Sequence, residues 1–358
     1  MLDFDKQENC FLKTETVVSH LLYKRDTNTK IPFITIFIPT YKRAELLRQA
    51  IKSVLRQRVS FEWELLVIDN EAYDGKPNAT EKAVRSFVCK HIYYYRNASS
   101  LRVSDNFNRG FKLAKAPWVI MLHDDDLLIK NALCKIETAI NLLSSVGKKP
   151  LGAIGAAYYT FQQKDFRKLA KVEKDLLAKP MSFRFDPNDW FDCLFTSHPG
   201  GVLPSNGTAF NKKAVIEVGG FNDDFGISAD LILFYVLNKR YRTYITREPY
   251  GFYRLGNNSM SKTENKIKTI QFCEDFRHYI FQKNIFTKIY GFCFGAFLDN
   301  LFLERFFPEL KGVYPVPHVH KIQRILGKFL SKKVSKLKNW KIKRLSKKLQ
   351  RKKYESNR

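Results

Sequence analysis

The sequence lacks the glycine-rich motifs that commonly cradle phosphate groups. No G-x-G-x-x-G follows a predicted strand, and no G-x-x-x-x-G-K-[ST] occurs anywhere in the 358 residues. The absence of both motifs disfavours a dinucleotide-dependent oxidoreductase and a P-loop nucleotidase. If this chain binds phosphate, a metal ion and basic side chains must hold it in place of a glycine-rich loop.

Paired cysteines and long hydrophobic runs are also missing. The absence of any C-x-x-C pair argues against a zinc site and against a dense disulfide framework, so we expect a reduced, cytosolic compartment. Residues 1–30 lack the basic start and apolar centre of a signal peptide. The most apolar segment, residues 289–298, is interrupted by Asp299 and Glu304 before it could span a bilayer, and we predict no transmembrane helix. The six cysteines are Cys10, Cys89, Cys134, Cys193, Cys273 and Cys293.

Acidic residues are scarce, with 35 Asp and Glu against 62 Lys and Arg and a formal net charge of +27. Residues 319–358 contain 16 Lys or Arg and one acidic residue, Glu355, which gives this tail a net charge of +15. The remaining residues therefore carry +12, the difference between +27 and +15. With 44% hydrophobic residues, the chain can bury one large core or a domain with an appendage.

Predicted β-strands alternate with predicted helices through the first third of the chain. This alternation predicts right-handed β-α-β crossovers and a mainly parallel sheet. Ligands of such sheets bind beyond the carboxyl ends of the strands. The strands are predicted at residues 34–40, 63–69, 91–96 and 119–122, and the helices at residues 44–57, 80–89 and 107–115.

Three consecutive carboxylates, Asp124, Asp125 and Asp126, follow the predicted strand 119–122. Adjacent anions repel one another, so the run is either a solvated acidic turn or a cation site. Carboxylate oxygens suit Mg²⁺ or Mn²⁺, which often completes its coordination with the phosphates of a nucleotide. The pairs Pro39-Thr40 and Asp69-Asn70 also lie at predicted strand ends, and we expect all of them to converge on one crevice.

Four segments resemble, in order and spacing, the signatures of glycosyltransferase family 2. The resemblance spans roughly residues 34–260 and continues in Val218-Gly-Gly-Phe-Asn-Asp223, Ala229-Asp230 and Tyr253-Arg254. It implies the GT-A fold, an α/β architecture with a Rossmann-like, mainly parallel sheet flanked by helices, here with a C-terminal helical extension. The four segments are Ile38-Pro-Thr-Tyr-Lys-Arg43, Ser53-Val-Leu-Arg-Gln57, Glu64-Leu-Leu-Val-Ile-Asp69 and Leu122-His-Asp-Asp-Asp126.

The resemblance implies an inverting, metal-dependent enzyme that moves a sugar from a nucleotide-diphosphate sugar, with a UDP-sugar expected, to an acceptor hydroxyl. The acceptor would be a growing, lipid-linked cell-envelope polysaccharide. Asp124, Asp125 and Asp126 would hold Mn²⁺ or Mg²⁺, which offsets charge on the leaving diphosphate. Asp230 would be the base that takes the acceptor's proton, although its place near a helix start also fits an N-cap.

The same resemblance assigns further residues to the two substrates. Several of these assignments have structural alternatives: a solvated cation for Arg43, helix capping for Asn106 and Asn108, and a plain turn for Asn206-Gly207. His123 and His198 are interpreted as packing or surface residues. The nucleotide-sugar residues are Pro39, Thr40, Tyr41, Arg43, Asp69, Asn70, Asn106, Asn108, Asp124 and Asp125, and the acceptor-side residues are Asn206, Gly207 and Arg254.

The chain departs from the family pattern at a few positions. Asn70-Glu71-Ala72 replaces the usual Asp-Gly-Ser, His123 replaces a frequent aspartate, Ala229 replaces a common glutamate, and Gly256 lies where a histidine often follows. The changes at Asn70-Glu71-Ala72 and at Ala229 support a rival hypothesis, a catalytically inactive glycan-binding or scaffold protein with a glycosyltransferase fold. A basic nucleic-acid-binding protein is a second rival, although we expect no nucleic-acid partner.

We predict four regions: an N-terminal extension at 1–30, a GT-A domain at 31–262, a helical extension at 263–318 and a basic amphipathic tail at 319–358. Within the domain, 31–128 would be the nucleotide-sugar half and 151–262 the acceptor half. The aromatic and acidic run 186–192 is typical of sugar-stacking loops and equally of a core.

A broken apolar stripe runs among the lysines of the basic tail. Such a helix favours an anionic membrane surface, with packing on the domain and nucleic-acid binding as alternatives. We therefore expect a cytoplasmic protein that is peripheral to the inner face of the cytoplasmic membrane. The stripe comprises Ile322, Leu326, Phe329, Leu337, Trp340, Leu345 and Leu349.

Overall fold

Helices flank a ten-stranded mixed sheet, in a computed structural model that describes residues 4–5, 8–25, 30–178, 185–188, 205–256 and 262–356. The strands are β1 Ser19–Lys24, β2 Ile34–Thr40, β3 Trp63–Asp69, β4 Ile92–Asn97, β5 Trp118–Met121, β6 Leu127–Leu128, β7 Leu151–Gln162, β8 Phe185–Asn188, β9 Ala209–Asn211 and β10 Arg242–Leu255. The described helices are α1 Ala44–Leu55, α2 Ala79–Arg85, α3 Val103–Leu113, α4 Ala132–Ser144, α5 Leu169–Leu177, α6 Lys212–Glu217, α7 Ala229–Arg240, α8 Thr263–Phe281, α9 Ile285–Phe306 and α10 Lys321–Ser356.

The strand order is β1-β4-β3-β2-β5-β9-β7-β10-β6, with β8 also paired to β10. The run β4-β3-β2-β5 is parallel, as the alternating pattern predicts, whereas β9 is antiparallel to both of its neighbours. The α/β class is therefore confirmed, and the sheet is mixed beyond its parallel centre. Thr40 and Asp69 are register partners, so β2 and β3 end side by side.

Side chains of the central strands alternate between two buried cores. Ile34, Ile36 and Ile38 of β2 pack with α1 and α4 on one face, and Phe37 packs with α3 on the other. Because successive side chains of a strand point to opposite faces, a strand that is apolar throughout must be covered on both sides. The apolar run of β2 accordingly places it at the centre of the molecule.

The region predicted as an N-terminal extension is part of the fold in its described residues. β1 pairs antiparallel with β4 and forms one edge of the sheet. Phe4 is fully buried, and its ring lies edge-on to Phe272 and Phe276 at centroid distances of 5.5 and 5.2 Å. The Asp5 carboxylate accepts hydrogen bonds from Tyr235 and Tyr279, which ties this segment to α7 and α8.

The C-terminal part is helical, as predicted. Arg277 of α8 pairs with Asp299 of α9, and both side chains are largely shielded from solvent. Helix α10 then packs on α9, where Gly327 allows close approach to Phe297, and Leu349 near its other end is buried. No helix within the described ranges combines the length and apolar character that bilayer crossing requires.

Candidate functional site

A cavity of about 690 Å³ opens at the carboxyl ends of β2, β3 and β5, and side chains from α7, β10, α8 and α9 continue its wall. Predicted site residues in its lining are Pro39, Thr40, Tyr41, Arg43, Asn70, Asn106, Asp124, Asp125 and Asp230. The expected convergence of strand ends therefore occurs, and the predicted base shares a cavity with two of the predicted metal ligands.

Asp124 links the aspartate turn to the end of β2. Its carboxylate accepts a hydrogen bond of 2.8 Å from the Thr40 hydroxyl and one of 3.3 Å from the Arg43 guanidinium. Burial raises the pKa of Asp124 to about 6, although both neighbours oppose this rise. A carboxylate held in this way is oriented before any ligand arrives.

Asp125 and Asp126 point in different directions from the same turn. Asp125 is partly exposed to the cavity, and its carboxylate lies 3.0 Å from the Arg43 guanidinium. Asp126 is buried; its carboxylate accepts hydrogen bonds from the Arg254 backbone N–H at 2.7 Å and from the Asn206 amide. Burial, followed by the charge of Asp125, raises the pKa of Asp126 to about 8. An added cation would relieve this concentration of negative charge.

Asn206 and Arg254, which sequence reasoning places on the acceptor side, hold the aspartate turn. The Asn206 amide donates to Asp126, and its carbonyl oxygen accepts the His123 backbone N–H at 2.8 Å. The Arg254 guanidinium donates to the Asp125 backbone carbonyl at 2.7 Å and stacks 4.7 Å from the Phe161 ring. Neither side chain is in the cavity lining, so their contact with an acceptor stays a prediction.

Gly207, the third predicted acceptor-side residue, is buried beside the turn. Its φ of +66° lies in the left-handed region, and a Cβ there would approach the Tyr158 hydroxyl to 2.7 Å. Both facts require glycine at this position. Ser205, two residues earlier, does line the cavity.

The donor atoms at the turn fit a divalent cation. His123, Asp125 and Asp126 each offer one ligand atom, and these atoms lie within 4.8 Å of one another. The His123 Nε2 is buried and has no hydrogen-bond partner among the described residues. Burial lowers the pKa of His123, which favours the neutral imidazole that binds metals. The carboxylate oxygens suit Mn²⁺ or Mg²⁺, and a neutral imidazole can add a nitrogen ligand. Sequence reasoning assigned His123 to packing, and its ring does stack on Phe107 at 5.9 Å.

Asp230 lies in the first turn of α7, and Ser228 occupies the N-cap position. Its carboxylate accepts hydrogen bonds from the backbone N–H groups of Leu231 and Ser205. Burial outweighs these bonds and raises the pKa of Asp230 to about 6. A carboxylate with this pKa is ionised at neutral pH and still able to accept a proton.

Tyr253 of β10 connects the two acidic ends of the cavity. Burial, followed by the negative charges of Asp126, Asp125 and Asp230, raises its pKa to about 12. Tyr253 is therefore close to both the aspartate turn and Asp230. Sequence reasoning quoted this tyrosine without a role, because a lone tyrosine in a strand carries no signal of its own.

Asp69 does not line the cavity. Its buried carboxylate accepts hydrogen bonds from the Asn78 amide at 2.7 Å and from the Tyr94 hydroxyl at 2.8 Å, and burial raises its pKa. Asn70 lines the cavity, while its amide donates to the Leu101 carbonyl at 2.8 Å. Of the adjacent pair, Asn70 is the one positioned to meet a ligand.

The two asparagines of α3 have different surroundings. Asn106 lines the cavity and accepts a hydrogen bond of 2.9 Å from the Asn97 amide. Asn108 lies outside the lining and holds the backbone of Phe221 through two hydrogen bonds, at 2.7 and 2.8 Å. Neither residue is the N-cap of α3, which is Arg102.

The part of the cavity wall that α8 and α9 form is largely apolar. Helices α8 and α9 and the residue after α9 contribute Thr269, Cys273, Phe302, Phe306 and Phe307 to its wall. We call this region the apolar arm. The sequence shows a phenylalanine-rich C-terminal part but not which rings face a cavity, so these residues were missed. Trp190, Phe191 and His198 lie outside the described residues.

Comparison with known proteins agrees with this geometry. Residues 35–198 match the family model described as Glycosyl transferase family 2. An uncharacterized glycosyltransferase of Rickettsia typhi is 33% identical over 122 residues, 34% of this chain and 35% of that protein. The poly(ribitol-phosphate) beta-N-acetylglucosaminyltransferase TarP of Staphylococcus aureus is 31% identical over 101 residues, 28% of this chain and 30% of that protein.

The matched part of this chain spans about a third of the length of these curated relatives. Among solved structures, a mannosyltransferase of Pyrobaculum calidifontis in complex with GDP-Man and Mn2+ aligns with a TM-score of 0.48 and 15% identity, over 92% of this chain and 88% of that chain. The matched segment contains β2, β3, β5 and the aspartate turn, and over these residues the chain is similar to glycosyltransferase family 2.

Proposed function

We propose that this protein is an inverting, metal-dependent glycosyltransferase that moves a sugar from a nucleotide-diphosphate sugar to an acceptor hydroxyl. One observation carries the proposal: Asp124 and Asp125 line the same cavity as Asp230. A cation site and a general base are the two elements that this reaction needs, and here they face one volume. Residues 31–128 would supply the donor half and residues 151–262 the acceptor half.

The donor would lie against the ends of β2 and β3. Pro39, Thr40 and Asn70 line this end of the cavity, and the half-exposed ring of Tyr41 can stack on a nucleobase. Arg43 can donate to a phosphate oxygen when its pairing with Asp125 is released. This part of the wall suits a UDP-sugar or a related nucleotide sugar.

The aspartate turn would hold Mn²⁺ or Mg²⁺ through Asp125, with Asp126, Asp124 and His123 as the remaining candidates. A bound divalent ion there would offset the negative charge that develops on the departing diphosphate. Asn206 and Arg254 orient the turn through the hydrogen bonds described above. Asp230 would accept the proton of the acceptor hydroxyl as that oxygen attacks the anomeric carbon from the face opposite the diphosphate.

We propose a glycan or lipid-linked glycan of the cell envelope as the acceptor. TarP, which is 31% identical to this chain over 101 residues, transfers N-acetylglucosamine to poly(ribitol phosphate) according to its name. Such an acceptor would present a hydroxyl group to Asp230.

We propose that α10 attaches the protein to the inner face of the cytoplasmic membrane. Gly327 and Ile342 are buried against the domain, whereas Phe329 and Trp340, two residues away from them along the helix, are 54% and 56% exposed. Successive helical residues turn by about 100°, so residues two apart lie on nearly opposite sides. The helix can therefore pack on the domain through one side and present aromatic and cationic side chains to anionic lipid through the other.

A thermal-shift screen tests the proposed function. Nucleotide diphosphates and their sugars should raise the melting temperature only when Mn²⁺ is present, because the proposed metal ion holds their phosphates. A ligand that binds only the native state stabilises the protein by about 2.7 kcal/mol at 100 times its Kd. Absence of stabilisation by every nucleotide diphosphate would contradict the proposal. Binding without donor turnover would favour the catalytically inactive scaffold instead.

A further inference from the structure

Asp230 is near residues of two kinds in the cavity wall. Its carboxylate accepts a hydrogen bond from the backbone N–H of Ser205, which lines the cavity, and its charge contributes to the raised pKa of Tyr253. Cys273 of α8 also lines the cavity, and its pKa rises to about 12 through burial and, to a smaller extent, through the charge of Asp230. Asp230 therefore lies near polar residues and near a residue of the apolar arm.

The apolar arm is formed by elements outside the segment that matches the family model, which ends at residue 198. Phe302 and Phe306 of α9 form one side, and their ring centroids lie 5.2 Å apart. Phe307 follows directly, and Leu231 faces them from α7. Phe302 and Phe307 are shielded from bulk solvent and line the cavity, so an occupant would exchange water for an aromatic wall.

The pairing of Arg277 with Asp299 links α8 to α9 and fixes the two helices that form the arm. Among the described residues that line the arm, Thr269 is the one whose side-chain hydroxyl could hydrogen-bond to a sugar ring. The chemistry of the arm suits a hydrocarbon chain. A polysaccharide segment, in contrast, would leave its hydroxyl groups unpaired there.

We propose that the apolar arm binds the hydrocarbon part of a lipid-linked acceptor, with the acceptor hydroxyl held beside Asp230. This inference rests on the proposed function and specifies its acceptor class. Two features of the molecule indicate this occupant. The arm is continuous with the wall that carries Asp230. Helix α9, which forms part of the arm, also packs against α10, on which Phe329 and Trp340 are exposed. An acceptor anchored in a membrane next to α10 would carry such a hydrocarbon chain.

Alkyl β-glucosides test the arm directly, with hexyl, octyl and decyl chains used below their critical micelle concentrations. Calorimetry on the full chain with UDP and Mn²⁺ should show affinity rising about fourfold for each added methylene, because each buried CH₂ contributes about 0.8 kcal/mol. Affinity that is independent of chain length would overturn the proposal.

Two variants locate the binding. Phe306→Glu places a charge in the arm, and Thr269→Trp fills it, so both should lose the chain-length dependence. Phe292→Ala removes an exposed ring from the same helix outside the cavity lining and should keep it. If the affinity of Thr269→Trp for the glucosides still rises with chain length as in the unaltered protein, the proposal is overturned, even if Phe306→Glu fails to fold. UDP affinity measured in the same samples reports on the donor site alone. If the unaltered protein does not bind UDP, that result counts against the proposed function rather than against the arm.

Discussion

The guanidinium of Arg43 lies 3.0 Å from the carboxylate of Asp125, at the mouth of the donor end of the cavity. The same nitrogen is 3.3 Å from Asp124, so one cation spans two carboxylates that face a single volume. A bound metal ion would take over this neutralising role and leave Arg43 able to meet a phosphate. Arg43 would then bind a phosphate of the donor instead of pairing with the two aspartates.

We predict that Arg43→Gln weakens UDP binding by about tenfold or more while Mn²⁺ binding persists. A hydrogen bond to a charged group contributes about 1.5–3 kcal/mol, and glutamine removes that charge. Isothermal titration of UDP in the presence of Mn²⁺ measures the effect. Arg58→Gln, at an exposed position just after α1, is the matched control and should bind UDP normally. Equal UDP affinity in both variants would exclude a phosphate contact by Arg43.

The raised pKa of Asp230 predicts the acid side of the pH profile. The carboxyl must be ionised to accept a proton, and burial raises its pKa from 3.8 to about 6. Below pH 6 the protonated form therefore predominates, and kcat/KM for transfer should fall about tenfold for each pH unit. Above pH 6 the base is ionised and this dependence should disappear. A profile that stays flat down to pH 4.5 would remove Asp230 from the role of base.

Divalent metal should stabilise the protein through the aspartate turn. Burial and mutual repulsion raise the pKa values of Asp124 and Asp126 to about 6 and about 8, and a cation offsets both effects. At 100 times its Kd, Mn²⁺ should add about 2.7 kcal/mol to the free energy of unfolding. Differential scanning fluorimetry with Mn²⁺ and with EDTA measures the difference.

Asp125→Asn should abolish this metal-dependent stabilisation. Asp175→Asn on the exposed surface of α5 removes the same charge elsewhere and should respond to Mn²⁺ as the unaltered protein does. If Asp125→Asn also keeps the full response, the metal binds elsewhere in the chain.

Asn206 should act on the metal site through its two hydrogen bonds. Asn206→Ala removes the donor to Asp126 and the acceptor of the His123 N–H, and loss of such supporting bonds typically weakens metal affinity by about 10- to 100-fold. Titration of Mn²⁺ at saturating UDP measures this change. If Asn206→Ala changes only the KM for the acceptor, the acceptor-side role predicted from the sequence is the correct one.

The basic tail should bind anionic membranes through lysines on the side of α10 that exposes Phe329 and Trp340. The triple variant Lys332→Gln, Lys336→Gln and Lys343→Gln should lose about 3 kcal/mol of binding to vesicles containing phosphatidylserine, at about 1 kcal/mol for each lysine. Vesicle sedimentation at low and high salt measures the loss, which should shrink as salt screens the charges.

The control for the tail carries the same charge change outside α10. Lys164→Gln, Lys171→Gln and Lys174→Gln alter exposed lysines in and near α5, and this variant should bind vesicles normally. Equal loss of binding in both triple variants would mean that net charge, and not the tail surface, drives attachment.

The parallel centre of the fold and the donor end of the cavity were predictable because their signals are local. A β-branched run such as residues 34–38 encodes a buried strand. Thr40 ends this strand and Asp124 lies shortly after β5, so the topology of a parallel sheet brings them together. Asp230 was located by its resemblance to the family and its place near a helix start. In the structure Asp230 lies in the first turn of α7, and the N-cap is Ser228.

The remaining parts of the site depend on pairings between distant segments. Asn206 reaches Asp126 because β9 pairs antiparallel with β5, a register that no local pattern encodes. Arg254 lies behind the aspartate turn for a similar reason, since β10 pairs with β6 immediately after the turn. The apolar arm requires knowing which phenylalanines of α9 face a cavity, and composition alone gives no such information.

The most direct test of the central claim is donor turnover by the unaltered protein and by Asp230→Asn. Release of the nucleotide diphosphate from a panel of UDP- and GDP-sugars is followed by mass spectrometry with Mn²⁺ and with EDTA. The account predicts Mn²⁺-dependent release that falls by about 10²- to 10⁴-fold in Asp230→Asn, while that variant binds the nucleotide diphosphate normally. Nucleotide binding without release in the unaltered protein, or release that Asp230→Asn leaves unchanged, would contradict it.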